Sequence, residues 1–312
     1  MRGVPTPPRR PEGLRWLRDG KPNFSDRIRK KEGEAKILAR RPVYTATRTF
    51  TILGLAEEMS RYRVRALPVV SPSDNKLEGL VTVMDIVNYL GGGELHDIVV
   101  NRHGGNLYSA LLREHASSIM SKNPAYVTVY DKLTDILETM ITREVGVLPV
   151  VTEDGVLWGI ITEHDIVSHL SEKKVGVPVS EVMTRNVIHT TASATLGEAA
   201  KTMVRVGVRR LPVLDGDRVV GMLTAKDVVR FVGKHEVFRY LEVPTAEALA
   251  QLPIKVVGFS GFDTIEPSAD VGDAATKMME KGLSSLLVVD EKGALQGIVT
   301  ERDVLYALAV KS

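Results

Sequence analysis

The chain of 312 residues contains no cysteine, which excludes disulfides and thiolate metal sites outright. No apolar run approaches the roughly 18–20 residues that a membrane span requires. The first residues carry charge and proline where a signal peptide would place an apolar core, so a cytoplasmic protein with no membrane partner is expected. Gln occurs only at Gln251 and Gln296, and Asn seven times; scarcity of Asn, Gln and Cys beside abundant Lys, Arg and Glu points to a thermophilic source. Nucleophile motifs, a His-x-x-x-His pair and a Walker loop are missing, as are a helix-turn-helix and a zinc finger. His96, His103 and His115 lie near one another, but their spacings of seven and twelve fit no standard metal ligand set. The chain is therefore read as no enzyme, and no metal is required.

What is present begins with charge. The net charge of +2 conceals a split: residues 1–41 hold 13 Lys/Arg and 5 Asp/Glu, whereas the remaining 271 hold 28 and 34. A basic arm on an acidic body suggests a polyanionic partner.

The body is a repeat. Gly79-Leu80-Val81-Thr82-Val83-Met84-Asp85 returns as Gly159 to Asp165 with Thr162, as Gly221 to Asp227 with Thr224, and as Gly297 to Asp303 with Thr300. A second phrase precedes each: Leu67-Pro68-Val69-Val70, Leu148-Pro149-Val150-Val151, Leu211-Pro212-Val213-Leu214 and Leu286-Leu287-Val288-Val289. Met59, Met140, Met203 and Met278 each stand eight residues before the first Leu of that phrase. Four copies at fixed spacing define an internal repeat.

Copy three shows the expected elements. Val187 to Thr190 is a short extended run. Leu196, Ala199, Ala200 and Met203 then fall on one helical face, with Ser193 and Thr195 as start signals and Gly207 as the stop. Arg210 to Leu214 is a buried strand entered through Pro212. Asp215-Gly216-Asp217 makes a hairpin into Arg218 to Thr224, and a second helix runs from Thr224 through Val232. The expected unit is β-α-β-β-α in a mixed α/β (α+β) fold. The distance from Leu to Gly varies only through the hairpin, at 12, 11, 10 and 11 residues. One such unit buries too little apolar surface to stand comfortably alone, so sheets of adjacent copies are expected to pack face to face. The expected organisation is a basic arm over 1–41, copy one over 42–90, an insert with a helix over 91–114 and copy two over 115–172. Copy three then covers 179–234, a linker helix 235–252 and copy four 253–312.

These residues resemble the CBS domain, the cystathionine β-synthase repeat, whose hallmarks are the Leu-Pro-Val-Val strand and the Gly-apolar-apolar-Thr-x-x-Asp turn. The resemblance covers about residues 42 to 310 and is similar to archaeal proteins made of four such repeats. It implies two pseudo-twofold pairs, Bateman modules, joining copy one with two and copy three with four. Their clefts would bind an adenosine-type ligand: AMP, ADP, ATP or an S-adenosylmethionine relative. In this family the repeats also accompany inosine monophosphate dehydrogenase and form the γ subunit of AMP-activated kinase, always as appendages to chemistry elsewhere.

Two uses of Thr-x-x-Asp stay open. It is a capping-box variant, with Thr at N-cap and an acid at N3, and a cap needs no ligand. Alternatively the helix N-terminus and the Thr hydroxyl face phosphate, while the Asp accepts both ribose hydroxyls in a bidentate way. The candidate nucleotide residues are Thr82, Asp85, Thr162, Asp165, Thr224, Asp227, Thr300 and Asp303, with His164, Lys226, Arg302, Arg209 and Arg210 as cations. Arg63, Arg65 and Arg143 are further candidates, and copy four offers only Ser284 and Ser285 there. Copy three is expected to suit a phosphorylated ligand best.

The arm opens Pro5-Thr6-Pro7-Pro8-Arg9-Arg10-Pro11, an extended stretch, and a short helix capped by Ser25 is expected after it. Trp16 and Phe24 stand among basic residues, a composition used for phosphate contacts and base stacking. Arg9, Arg10, Arg15, Trp16, Arg18, Lys21, Arg27, Arg29, Lys30 and Lys31 are the candidate RNA-binding residues, with the ribosome as the expected RNA-rich partner and energy-responsive silencing or hibernation as the role. A solvated tail that aids solubility, and a docking peptide on a regulated enzyme or transporter, remain alternatives. A homodimer is also compatible with the sequence.

Overall fold

The computed structural model describes residues 22–24, 28, 32–170 and 174–310. Each copy forms a small sheet flanked by helices, giving the mixed α/β class. In copy three, strand Thr190–Thr191 lies parallel to Arg210–Asp215, which pairs antiparallel with Arg218–Thr224. Copies two and four repeat that order. Copy one has only the hairpin Ala66–Val70 and Leu77–Thr82, with an Ala46 to Val69 bridge where the short strand would lie. All four hairpins carry a register shift at the same step, between Val69 and Val70, Val150 and Val151, Val213 and Leu214, and Val288 and Val289.

Local chemistry explains the helix ends. Helix Leu196–Val206 starts at Thr195, whose hydroxyl accepts from the Glu198 N–H, and stops at Gly207 with φ 71°. That left-handed conformation suits glycine because it has no Cβ to clash. Leu196, Ala199, Ala200 and Met203 are all buried. Copy four lacks the strand proline for a visible reason: the Leu287 N–H donates to the Asp263 carbonyl at 3.0 Å, a bond that proline could not make.

The chain divides into two compact units. One holds residues 44–124 and 188–261, and thus the bodies of copies one and three; the other holds 125–187, the residues from 262 onward and the described residues before 44. In the first, Ile52, Leu55, Met59 and Leu67 share a core with Leu196, Met203, Leu211 and Phe231. In the second, Leu133, Ile136, Met140 and Leu148 share one with Val271, Met278, Leu286 and Val304. Within each unit the core joins alternate copies.

What neighbours exchange is the segment that leads into each copy. Arg40 bridges to Ile160 of copy two, Ser121 to Leu80 of copy one, Thr184 to Ile298 of copy four and Ser260 to Met222 of copy three. Each bridge has hydrogen bonds in both directions, such as Arg40 N–H to Ile160 O at 2.9 Å and Ser260 N–H to Met222 O at 2.8 Å. The bridge partner is always the residue after the motif glycine, and this accounts for the glycine. A Cβ on Gly79, Gly159 or Gly221 would lie 2.6 Å from Met120 Sδ, Ala39 Cβ or Phe259 Cβ, and one on Gly297 would lie 2.8 Å from Met183 Sδ. Close approach of the neighbouring leading segment, rather than a turn, requires these four glycines.

The insert in copy one forms helices His96–His103 and Leu107–Arg113, the second capped by Asn106. Its histidines are engaged by polar neighbours: His96 Nδ1 lies 3.0 Å from Tyr89 O, and His103 Nε2 lies 3.1 Å from Glu114 Oε2. Among the described residues no cluster of three or more His, Cys, Asp or Glu is placed to hold a metal. No helix among them is long and apolar enough to cross a membrane.

Candidate functional site

Each Thr-x-x-Asp lies where the last hairpin strand turns into the second helix of its copy. The Asp Oδ2 accepts the backbone N–H of its own Thr at 2.7, 2.8, 2.9 and 2.8 Å in copies one to four. The same oxygen accepts the Thr hydroxyl at 2.7, 2.7, 2.6 and 2.8 Å. The motif is therefore a cap in every copy. Two expectations change accordingly. The single hydroxyl proton of Thr82, Thr162, Thr224 and Thr300 goes to the Asp, so it is not available to phosphate. With Oδ2 occupied, two-oxygen recognition of a diol is also blocked, and Oδ1, with two lone pairs, is the atom left over.

The copies differ at Oδ1. In copy two, Arg40 Nε lies 2.7 Å from Asp165 Oδ1, and Arg40 Nη2 donates to Thr162 Oγ1 at 3.0 Å. In copy three, the Ser260 hydroxyl donates to Asp227 Oδ1 at 2.8 Å and Arg230 Nη1 lies 3.2 Å from it. For Asp85 and Asp303, the described residues supply bonds only to Oδ2. Burial raises both of these carboxyls above the usual carboxylate range, Asp303 to about 6.

The candidate cations are mostly engaged elsewhere. His164 Nδ1 lies 2.8 Å from Glu301 Oε1, and Arg302 Nε donates to Glu163 Oε1 at 2.8 Å. Copies two and four thus cross-link through the two middle residues of their motifs, and Glu163 and Glu301 are each only 2% exposed. Both cations would have to leave a buried carboxylate to meet a phosphate. The Glu301 hydrogen bond raises the His164 pKa. Lys226 is exposed on the second helix of copy three, and Arg209 and Arg210 are half-buried at the entry to its hairpin. Arg63 takes the left-handed C-cap of its helix, and the carbonyls of Arg65 and Ser284 accept from Val83 and Glu301.

The profile of the CBS domain matches residues 35–92, 116–172, 179–234 and 256–310. The chain belongs to the CBS domain family. It is 32% identical over 267 residues to a 33.4 kDa protein in the ribosomal RNA operon of Thermofilum pendens, covering 86% of this chain and 88% of that one. It is 31% identical to protein MJ1225 of Methanocaldococcus jannaschii, over 88% of this chain and 98% of that one. The crystal structure of MJ1225, a protein likened to γ-AMPK, superposes with a TM-score of 0.80 at 30% identity, over 86% of this chain and 97% of that one. A Pyrococcus horikoshii protein shares the fold at a TM-score of 0.55 and 21% identity, covering 89% of this chain.

Within this CBS chain, sequence reasoning missed Arg40, Ser260, Glu163 and Glu301. Glu163 and Glu301 had a signal: the first variable motif residue is Glu in copies two and four but Val83 and Ala225 in copies one and three. The ten candidate RNA-binding residues, Arg9 through Lys31, and the helix expected after Ser25 lie outside the described residues. Phe24, expected as a stacking residue, instead bridges to Val310 and packs with Ile28 against the core of copies two and four.

Proposed function

We propose that this CBS protein is a regulatory sensor that binds an adenosine-type ligand (AMP, ADP, ATP or an S-adenosylmethionine relative) and acts through a partner. The observation that carries the reading is the division of labour in each Asp. The cap uses Oδ2 in every copy, and in copies two and three Oδ1 accepts from the donor groups of Arg40 and Ser260. Two ribose hydroxyls are donors of that kind, and one carboxylate oxygen can accept both. Asp85 and Asp303 are the residues through which the ligand would be held in copies one and four. Isothermal titration with AMP, ATP and S-adenosylmethionine tests this. Asp85→Asn and Asp303→Asn keep an acceptor for the cap but remove the anion, and each is expected to remove one equivalent of ligand. Unchanged binding in both variants refutes the diol role.

We further propose that residues 1–41 dock the protein on an RNA-rich partner, the ribosome, with energy-responsive silencing of translation as the outcome. The charge split supports this, as does the ribosomal RNA operon setting of the Thermofilum pendens relative. Because residues 22–41 include core-packed Phe24, Ile28 and Ala35, the informative deletion removes only residues 1–21. Sedimentation of cell extract should place the full chain, but not this deletion, with ribosomal particles, and steep loss with salt is expected from phosphate contacts. A second reading, a nucleotide-sensing subunit of a separate enzyme or transporter, is favoured by the likeness of MJ1225 to γ-AMPK. It predicts a protein partner that co-purifies after nuclease treatment.

A further inference from the structure

The four exchanged leading segments place equivalent residues beside the four motifs. The bridge register puts Ser121 at copy one, Ser260 at copy three, Thr184 at copy four and Arg40 at copy two. Three are small hydroxyl residues, and the fourth is a cation whose guanidinium spans Asp165 Oδ1 and Thr162 Oγ1. We infer that Arg40 is an internal occupant of the copy-two site, so that adenosine ligands bind there only when the segment leading into copy one lifts away. This rests on the proposed diol role of Oδ1 and specifies which copies can perform it.

The segment is held at several points. The Gly33 N–H donates to Tyr130 O at 3.0 Å and the Ala35 N–H to Asp131 O at 3.1 Å. Glu34 Oε2 accepts the Leu133 N–H at 3.0 Å, at the start of the first helix of copy two. Ala35 is fully buried, and Lys36 and Arg41 lie 5.1 and 4.0 Å from the Trp158 ring centre. Ala39 fills the space left open by Gly159. Arg40 is thus positioned by its neighbours on both sides, although 57% of its own side chain is exposed. Arg230 of copy three differs in kind, because it reaches Asp227 from its own helix and moves with it. Arg40 arrives on a segment continuous with the basic arm. Ligand binding at copy two and seating of that segment are therefore linked: the seated segment weakens ligand binding by the same factor as the bound ligand weakens seating.

The test titrates the full chain with AMP as wild type, Arg40→Ser and Asp165→Asn. Arg40→Ser gives copy two the residue type of copy one, where Asp85 Oδ1 takes no bond from Ser121, and an exposed side chain makes it compatible with folding. The expected result is one additional equivalent of AMP for Arg40→Ser and no change from wild type for Asp165→Asn. The extra equivalent should vanish when the two substitutions are combined. Loss of one equivalent in Asp165→Asn alone would show copy two already open and overturn the inference. An unchanged count in Arg40→Ser would overturn it as well. Failure of the underlying diol reading looks different, because there Asp85→Asn and Asp303→Asn would also leave AMP binding untouched.

Discussion

The two compact units solve the same packing problem with opposite chemistry. Where the motif helices meet the rest of their unit, copies one and three present buried Val83 and Ala225, whereas copies two and four present Glu163 and Glu301, equally buried and each matched by a cation. A second difference runs in parallel. Nine residues after the motif Thr, copy three has Gly233 set directly against the Ala56 backbone, and copy four has buried Ala309. One unit gains closeness and apolar contact. The other gains directional ion pairs at a cost in desolvation, a pattern associated with specificity of pairing more than with net stability. Glu163 of copy two matches a cation in copy four and would meet only Met84 at the equivalent position of copy one, whereas copy three keeps a cation there, Lys226, beside an uncharged Ala225, so the charges set copy one apart from the correct partner.

The largest effect should come from breaking one ion pair. Arg302→Ala removes the cation paired with buried Glu163 and is expected to destabilise its unit by about 3 kcal/mol, read as a fall in the chemical-denaturation midpoint. The double change Glu163→Val with Arg302→Met imitates copy one and should recover most of that loss. A double variant as unstable as the single one would show that the two units are not interchangeable at this position.

Asp303 gives the next effect. Burial, with a smaller contribution from the nearby Glu163 charge, raises its pKa from 3.8 to about 6. The folded state then holds a proton that the unfolded state has lost, so this group makes stability fall as pH rises from about 4 to 6. Asp303→Asn should remove that slope, and its advantage over wild type should grow by up to about 3 kcal/mol between pH 4 and pH 7. Thermal melts at both pH values measure it. An advantage independent of pH would assign the change to the cap instead.

Gly233→Ala should cost roughly 1–3 kcal/mol through overpacking against Ala56, while Ala309→Gly in the other unit should cost about 1 kcal/mol or less. Equal costs, measured by urea denaturation, would erase the proposed difference in helix approach. The smallest effect belongs to His164. Glu301 raises its folded pKa, so its contribution is complete below the unfolded value near 6.5 and is lost as pH rises through the folded value. With 41% of the side chain exposed, that contribution is about 0.5 kcal/mol. His164→Gln should flatten the stability profile on the alkaline side of about pH 6.5 while leaving Arg302 and Glu163 paired.

Much of this was legible along the chain. The four motif turns, the helical face of Leu196 to Met203 and the stop at Gly207 depend on contacts within about ten residues. What escaped depends on distant residues brought together. The motif glycines were recognisable as fixed, but their reason lies in Met120, Ala39, Phe259 and Met183, which belong to other copies. His164 and Arg302 read as free cations because their carboxylates stand 137 and 139 residues away. Arg40 was counted as part of a basic arm, since nothing local announces a hydrogen bond spanning 122 residues to the copy-two motif. The split between Oδ1 and Oδ2 is beyond any sequence pattern, because it is a matter of which way one carboxylate is turned.

The exchange of leading segments has a consequence for how such a chain can be divided. Covers tie copy one to two and copy three to four, whereas cores tie one to three and two to four. The dependencies close into a ring. Cutting between the second and third copies keeps the covers and halves both cores, and excising an alternate pair at its repeat boundaries keeps a core but loses the covers, which come from the segments leading into the other two copies. A part that keeps both core and covers is therefore never one run of chain but is assembled from separated segments, so four similar repeats do not amount to four separable modules.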